Sequence, residues 1–413
     1  MKPAIIEIVG GAYWEECSFP PRSVYRGSGM RAAAILASFD VNVRLHSALG
    51  PSLKPHFVEI ANNLNIQLDA RDKSTDVKFQ YSHPLASPHI SRIPSSCSFN
   101  GEAVIADTAL VFGMIEGRIP VRAKRVVYDS QDGFRSKPFE HNGSTAEELA
   151  LVVSYSEGVA LTDKQDPDDI ASNLLERPNV SAVVIKCGPQ GALVATRDNR
   201  NWISSFPTKR VYKVGSGDVF SAAFAFAWLY QNKPPLLSAW FASRVVASYV
   251  ETSCDSLDES TINACWEDAE DALNTRTRNS AKLVPETQIY LAGPFFSTAQ
   301  RWGVDEARSA LIDMGFKVFS PVHDVGMGSS DEVVRQDLYE LDRSGVVLAL
   351  LNDLDPGTIF EVGYAKAKGI PVIAIAESAK ESDLTMLLGS GCFVVDDFST
   401  GIYYACWQLM GDV

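Results

Sequence analysis

The sequence is poor in several features that mark large classes of protein. Among its 413 residues, no apolar run is long enough to span a bilayer, and the N-terminal AIIEIV stretch is too short for a signal peptide. Its seven cysteines have no CxxC or other metal-ligand spacing, which indicates reduced thiols in a cytoplasmic protein. Lys and Arg do not cluster and the net charge is −14, so neither a nucleic-acid polymer nor a membrane is expected as a partner.

The sequence also lacks internal repeats, low-complexity tracts and histidine pairs with metal-ligand spacing, so no zinc site is expected. Its length exceeds the size at which one hydrophobic core usually keeps growing, which predicts two domains. A polar stretch with few large apolar residues separates them. We therefore predict one domain at residues 1–272, a linker at 273–286 and a second domain at 287–413.

Apolar β-branched runs alternate with helical stretches in both parts, an order that favours α/β layers. In the first part these runs include AIIEIV, RVVYD and AVVIKC. Between residues 73 and 93, polar and apolar residues alternate around prolines, which predicts a small exposed β element that acts as a lid. In the second part, strands such as GVVLALL and PVIAIA alternate with helices, which predicts a smaller domain with a parallel sheet.

The GSGD motif, Gly215 to Asp218, precedes a long apolar helix. Its glycines allow a ligand to approach the backbone closely, and the amides of Gly215, Ser216 and Gly217 lie where a helix N-terminus binds anions. Asp218 is then placed to accept the proton of a substrate hydroxyl while these amides face a transferring phosphate. The alternative is a glycine-rich turn whose Asp only complements the helix dipole.

Residues 1–270 resemble the ribokinase-like carbohydrate and nucleoside kinases, the PfkB family. The motifs that carry the resemblance come in the family's order: GG after the first strand, the RGSGMRAAAILASF helix start, the DSQ turn, SYSEG, CGPQGALV and GSGD. The resemblance implies a three-layer α/β fold with a small lid, and a kinase that uses ATP and magnesium. The site residues that it implies are Asp218 as catalytic base, Gly215, Ser216 and Gly217 as anion hole, Glu157 as a magnesium ligand through water, and Glu15, Gly27 and Gly29 at the substrate.

The chain departs from this family's pattern in its sugar site. The departures are Glu15 or Glu16 where members use Asp to hold sugar hydroxyls, Met30 and Arg31 where Asn is usual, Tyr212 in place of an Asp, and Ser154 in place of an Asn. These differences motivate an alternative function, in which the first domain binds a ligand and transfers phosphate weakly or not at all.

A second acidic motif, DPGTIFE, spans residues 355–361. Thr358 and Glu361 have the T-x-x-E spacing of a capping box, so one interpretation is a helix start whose polar groups satisfy one another. The other interpretation is catalytic. Asp337, Asp355 and Glu361 flank the strand GVVLALL, and residues after parallel strands converge on one crevice.

Residues 287–413 resemble the nucleoside 2-deoxyribosyltransferases and their nucleotide N-glycosidase relatives, through YLAGPFF, Asp337 and the G-x-x-x-E-x-G-x-A pattern. The resemblance implies a flavodoxin- or Rossmann-like parallel-sheet fold and cleavage or transfer at an N-glycosidic bond. It makes Glu361 the nucleophile, Asp337 a catalytic carboxylate, and Tyr290 and Asp355 substrate-binding residues. Phe295 is a candidate to stack on the base, or a core residue. Asp383 replaces the Asn that relatives contribute to a neighbouring subunit.

Together these features predict a bifunctional enzyme of nucleoside or nucleotide metabolism. One domain phosphorylates a sugar or nucleoside hydroxyl with ATP, and the other makes or breaks a nucleoside bond. The alternative is a nucleotide-sensing or regulatory protein with a catalytically weak kinase-like half. We expect a nucleoside, nucleotide or sugar as substrate and a homo-oligomer as the assembly.

Overall fold

The computed structural model describes residues 5–91, 99–131, 133–276, 284–326 and 330–413. They fall into two compact units, one within residues 1–208 and 212–281 and the other within residues 209–211 and 282–413. The predicted domain bounds stay a prediction. Residues 277–283 of the predicted linker, and residues 92 and 93 of the predicted lid, lie outside the described residues.

The first unit contains a large sheet, two small sheets and flanking helices. Its strands are β1 (Ile6–Val9), β2 (Tyr13–Cys17), β3 (Arg22–Arg26), β4 (Val43–Leu49), β5 (Gln67–Asp72), β6 (Lys78–Tyr81), β7 (His89–Ile90), β8 (Phe99–Asn100), β9 (Val104–Phe112), β10 (Gly117–Arg118), β11 (Val121–Asp129), β12 (Thr145–Ser154), β13 (Val180–Lys186), β14 (Ala192–Ala195) and β15 (Arg200–Ile203). Its helices are α1 (Gly27–Ser38), α2 (Lys54–Asn63), α3 (Tyr155–Thr162), α4 (Pro167–Leu175), α5 (Ser216–Ala225), α6 (Pro235–Thr252) and α7 (Glu259–Thr275).

The large sheet has the strand order β15-β14-β13-β12-β11-β9-β1-β4-β5. The strands from β13 to β5 pair in parallel, whereas β14 and β15 form an antiparallel edge. Parallel strands are buried on both faces and therefore read as continuous apolar runs, and every residue of the IEIV strand β1 is buried. Helix α5 is apolar on most sides because it packs against α1 and α6 as well as against β9 and β11.

The predicted lid is part of a larger element than the sequence indicated. Strands β6 and β7, inside the predicted range, join β2 and β3 in a four-stranded sheet of order β3-β2-β6-β7. The pairing of β2 with β6 is parallel and links residues more than sixty positions apart, which local alternation of polar and apolar residues does not reveal.

Two connections in the first unit differ from a helical crossover. The chain passes from β9 to β11 through residues 113–120 and from β11 to β12 through residues 130–144. Parallel strands are usually joined by a helix, but the described residues of these two connections contain only the short strand β10 and turns of 3-10 helix. The described residues of these two connections are therefore free of α-helix.

The second unit is a small doubly wound domain. Its strands are β16 (Gln288–Ala292), β17 (Val318–Phe319), β18 (Ser344–Leu350), β19 (Val372–Ile375) and β20 (Phe393–Val395). Its helices are α8 (Thr298–Asp313), α9 (Pro321–Asp324), α10 (Ser330–Asp342), α11 (Pro356–Ala367), α12 (Thr385–Gly389) and α13 (Phe398–Met410). All pairs in the sheet, of order β17-β16-β18-β19-β20, are parallel.

This strand order reverses direction at β16 and β18, the point where doubly wound sheets open a crevice beyond their carboxyl ends. The predicted α/β fold classes of both units are confirmed. No helix in the described ranges combines the length and the apolarity needed to cross a bilayer.

Candidate active sites

The first site is built on the N-terminus of α5. Gly215 caps this helix with a φ of +82°, a left-handed conformation that favours glycine. The amide of Ser216 donates a hydrogen bond of 2.9 Å to the carbonyl oxygen of Lys213. One of the three amides predicted to form the anion hole is therefore already hydrogen-bonded. An anion at this site would meet the remaining first-turn amides and the positive end of the helix dipole.

Asp218, the predicted catalytic base, is held by a buried arginine. Arg31 is only 2% exposed, and its Nη1 donates to Asp218 Oδ2 at 2.6 Å. The same guanidinium donates through Nη2 to Glu15, whose Oε1 also accepts the amide of Gly27 at 2.9 Å. The residues predicted to bind sugar hydroxyls and to accept a proton are thus bound to each other through Arg31.

The second carboxylate oxygen of Asp218 also has a donor. Gln131 Nε2 lies 3.3 Å from Asp218 Oδ1. Burial raises the pKa of Asp218 to about 6, while the charge of Arg31 acts in the opposite direction. A general base needs a free oxygen within hydrogen-bond reach of the substrate hydroxyl, and both oxygens are engaged here. A substrate hydroxyl would have to displace Gln131, or share an oxygen with it, before Asp218 could accept its proton.

A second charged cluster surrounds Asp129, at the carboxyl end of β11. Its Oδ2 accepts from Lys186 Nζ at 2.7 Å and from the hydroxyl of Ser221 at 2.6 Å. Glu157 lies at the start of α3, where it forms a capping box with Ser154. Burial, followed by the nearby charge of Asp129, raises the pKa of Glu157 to about 7. This cluster joins the carboxyl ends of three neighbouring parallel strands.

These residues fit a phosphate group better than they fit a directly bound metal. Lys186 Nζ lies 3.4 Å from the place that a Cβ of Gly217 would take, so it adds a cation to the α5 N-terminus. In the described residues, no group of three or more His, Cys, Asp or Glu side chains is arranged to hold a metal ion. The role of Glu157 as a magnesium ligand through water stays a prediction.

The second site centres on Glu361 of α11. Tyr290, from β16, donates its hydroxyl to Glu361 Oε1 at 2.6 Å. Burial raises the pKa of Glu361 to about 7, the Tyr290 hydrogen bond lowers it, and the charges of Asp337 and Asp355 raise it further. Burial raises the pKa of the Tyr290 hydroxyl well above its usual value, so the phenol stays protonated. It therefore orients the Glu361 carboxylate through a hydrogen bond and does not neutralise it.

The two aspartates predicted for this site have different surroundings. Burial raises the pKa of Asp337 to about 6, and in the described structure its Oδ1 is buried without a hydrogen-bond partner. Asp355 accepts both the amide and the hydroxyl of Thr358 at 2.8 and 3.0 Å. The capping-box interpretation of Thr358 and Glu361 is therefore wrong: Asp355 is the N-cap, and α11 begins at Pro356.

Of the remaining predicted residues of the second unit, Phe295 is half-buried and Asp383 is exposed. The rings of Phe295 and Phe296 stack with centroids 4.9 Å apart, and Phe296 is 74% exposed. Asp383 is exposed in a 3-10 turn, where it accepts the hydroxyl of Ser382 at 3.2 Å. Nothing in the described contacts joins Asp383 to Glu361.

The structure thus gathers Glu15, Gly27 and Asp218 around Arg31, and Tyr290 around Glu361. In the first unit, Gly29 packs against the backbone of Gly10, where a Cβ would lie 2.8 Å from its carbonyl carbon. Sequence analysis missed the ion pair of Arg31 and the partnership of Asp129 with Lys186. For the Asp129–Lys186 pair the sequence offered one signal, since both residues end apolar strands of one parallel sheet.

The chain therefore combines a ribokinase-like α/β unit with a parallel-sheet unit of doubly wound order. A family model described as pfkB family carbohydrate kinase matches residues 149–261, and one described as nucleoside 2-deoxyribosyltransferase matches residues 289–401. Both resemblances inferred from the sequence are confirmed. A search of curated proteins finds no match to the chain.

Solved structures of kinases share the fold of the first unit. Phosphofructokinase-2 from Escherichia coli in complex with potassium aligns with a TM-score of 0.51 and 15% identity, covering 65% of this chain and 100% of that one. Ribokinase from Arabidopsis thaliana complexed with ribose and ATP aligns with a TM-score of 0.50 and 16% identity, covering 65% and 99%. At these identities the likeness concerns the fold alone.

Proposed function

We propose that the second unit cleaves or transfers an N-glycosidic bond of a nucleoside or nucleotide, with Glu361 as nucleophile. The observation that carries the proposal is the Tyr290–Glu361 hydrogen bond at the carboxyl ends of parallel strands. A neutral donor holds one oxygen of Glu361 and fixes its direction, and no cation in the described structure is paired with this carboxylate. Such a carboxylate keeps an oxygen for attack on an anomeric carbon.

In the first step, a Glu361 oxygen bonds to the anomeric carbon as the bond from that carbon to the base nitrogen breaks. The base leaves with a proton from Asp337, whose raised pKa keeps a protonated fraction close to neutral pH. In the second step, water or another base attacks the anomeric carbon and gives its proton to Asp337. The ester breaks, and Glu361 returns as a carboxylate.

A panel of deoxynucleosides and their 5′-monophosphates, with chromatographic detection of free base, tests this proposal. We expect base release by the full-length protein and a loss of at least about a thousandfold in Glu361→Gln, since the nucleophile is removed. Glu381→Gln, an exposed carboxylate of the same unit, is the matched control and should keep full activity. Unchanged release by Glu361→Gln would contradict the assignment.

For the first unit we propose nucleotide binding with weak phosphotransfer or none. PfkB kinases generally use ATP and magnesium, and Lys186 with the α5 N-terminus supports binding of a phosphate. The ion pair between Arg31 and Asp218 opposes the chemical step. This observation favours the sensing alternative over a kinase that phosphorylates a sugar or nucleoside hydroxyl.

Titration calorimetry with ATP and magnesium, beside a phosphotransfer assay on the same nucleosides and sugars, separates the two functions. Heat of binding with no phosphorylated product supports the sensor. Product formation that disappears in Asp218→Asn supports the kinase. Assembly as a homo-oligomer and a cytoplasmic location stay predictions, and light scattering after gel filtration tests the first of them.

A further inference from the structure

A cavity of about 540 Å³ lies in the first unit, and neither Arg31 nor Gln131, which bond to Asp218, lines it. Val9, Val111 and Tyr128 line it, and they pair in register across three neighbouring strands. Asp129 bonds to Ser221 of α5, so Tyr128, one position earlier, faces the opposite side of the sheet. The cavity therefore occupies the face that the two helix-free connections cover.

Aromatic side chains form part of the cavity wall. Phe99, Tyr128 and Phe139 line it, and the rings of Tyr128 and Phe139 lie 5.3 Å apart at an angle of 58°. The hydroxyl of Tyr128 donates to the carbonyl oxygen of Lys137 at 2.8 Å, which fixes the turn that carries the rim. A planar or apolar group has room against these rings, since small-ligand pockets range from about 300 to 1,000 Å³.

The rim of the cavity is cationic in a chain whose net charge is −14. Among the described lining residues, the ionisable side chains apart from the Tyr128 phenol are Arg118, Arg135, Lys137 and His141. Among the described residues of the same two connections, the acidic ones have partners elsewhere: Glu116 accepts the hydroxyl of Tyr13 at 2.5 Å, and Glu140 lies 3.6 Å from Arg177. The local charge therefore selects anions.

A buried hydroxyl in the cavity has no partner. Ser130 is 3% exposed, it lines the cavity, and within the described residues its Oγ makes no hydrogen bond. Buried polar groups are hydrogen-bonded in most proteins, because leaving one unpaired is unfavourable. A ligand oxygen in the cavity would satisfy this group.

We propose that this cavity binds a phosphate ester of nucleotide size. Its phosphate lies among the rim cations, its base or other apolar body lies against Tyr128 and Phe139, and one of its oxygens pairs with Ser130. This site is separate from Asp218 and from Glu361, so it does not depend on the chemistry proposed for either. It gives the protein a place at which a nucleotide is bound without being a substrate.

Titration calorimetry with AMP tests the proposal, with adenosine and inorganic phosphate as separate probes. The full-length Glu361→Gln protein is used so that AMP is not consumed. We expect AMP to bind more tightly than either fragment, and at least about tenfold more weakly when both Arg118 and Lys137 are changed to Ala. Arg122→Ala, an exposed cation of β11 that does not line the cavity, is the matched control and should bind AMP normally.

Photolabelling with 8-azido-AMP locates the site directly. We expect labelled peptides within residues 99–142 and loss of that label in the Arg118→Ala/Lys137→Ala protein. Label confined to peptides around Asp218 or Glu361, or AMP affinity unchanged in the double variant, would overturn the proposal. Equal binding of inorganic phosphate and AMP would also overturn it, because the aromatic wall would then contribute nothing.

Ser130→Ala supplies a test that does not depend on activity. Removal of an unpaired buried hydroxyl should raise the melting temperature of the ligand-free protein. The rise in melting temperature that AMP produces should become smaller, because the ligand loses a partner. A hydroxyl with only a structural role would leave the AMP-induced rise unchanged, and that result counts against the proposal.

Discussion

Each unit presents a carboxylate near the carboxyl ends of parallel strands, but the two carboxylates have opposite partners. Asp218 lies in an ion pair with the buried cation Arg31, whereas Glu361 accepts a hydrogen bond from the neutral phenol Tyr290. The cation stabilises the ionised carboxylate and occupies one of its oxygens, which makes that carboxylate a weaker base. The phenol leaves the charge of Glu361 in place and directs it. This difference in partners supports the different roles proposed for the two carboxylates.

The largest expected effect is the loss of Arg31. Arg31→Met leaves Glu15 and Asp218 buried without their counter-ion, so the free energy of unfolding should fall by about 3–5 kcal/mol. Urea denaturation followed by tryptophan fluorescence measures it. The Glu15→Gln/Arg31→Met double variant should lose less, because one of the unpaired charges is gone. Equal losses in both proteins would show that the ion pair is not what stabilises this region.

Removal of the phenol hydroxyl tests the other side of the comparison. Tyr290→Phe deletes a hydrogen bond that lowers the pKa of Glu361, so that pKa should rise above about 7. Since the nucleophile must be ionised, the ascending limb of the pH–rate profile should move to higher pH, and base release near pH 6.5 should fall by about 10–100-fold. A profile that moves to lower pH, or does not move, contradicts this account.

The raised pKa of Glu361 also has a cost in stability that depends on pH. The folded state holds this proton up to about pH 7, whereas an unfolded Glu releases it near pH 4.3. The stabilising contribution is therefore present at low pH and is lost as the pH rises through about 7. Glu361→Gln should melt roughly 2–4 °C above the wild type at pH 8, with a smaller difference at pH 5. Differential scanning fluorimetry at both pH values checks the sign.

The smallest expected effect concerns the N-cap of α11. Asp355→Ala should lower the stability of the second unit by about 1 kcal/mol, whereas Asp355→Asn keeps the cap. Both remove a charge that raises the pKa of Glu361, so both should move the ascending limb to lower pH. Asp397→Ala, the N-cap of α13, is a control that should reduce stability without moving the limb.

The sequence predicts much of this architecture because its signals are local. Apolar runs locate the strands of both sheets, and Asp218 and Glu361 follow short motifs that resemble known families. The Arg31 ion pair joins residues 16 and 187 positions apart, so no local pattern contains it. The sequence records only that Arg31 stands where Asn is usual.

Two further differences between the sequence-based predictions and the structure have local causes. Asp355 and Thr358 are both good N-cap residues three positions apart, and the proline at position 356 settles the choice because it fits the first turn of a helix. In the first unit, the short connections after β9 and β11 are too brief or too irregular for a full helix, and the alternation of apolar runs does not report what connects them.

The turn at Gly215 constrains how this chain can change. A Cβ at this position would lie 2.3 Å from the guanidinium carbon of Arg31, and the residue has a φ of +82°. A side chain at 215 would therefore meet Arg31 and also need a strained backbone, so replacing the arginine would relieve only the first of these two obstacles.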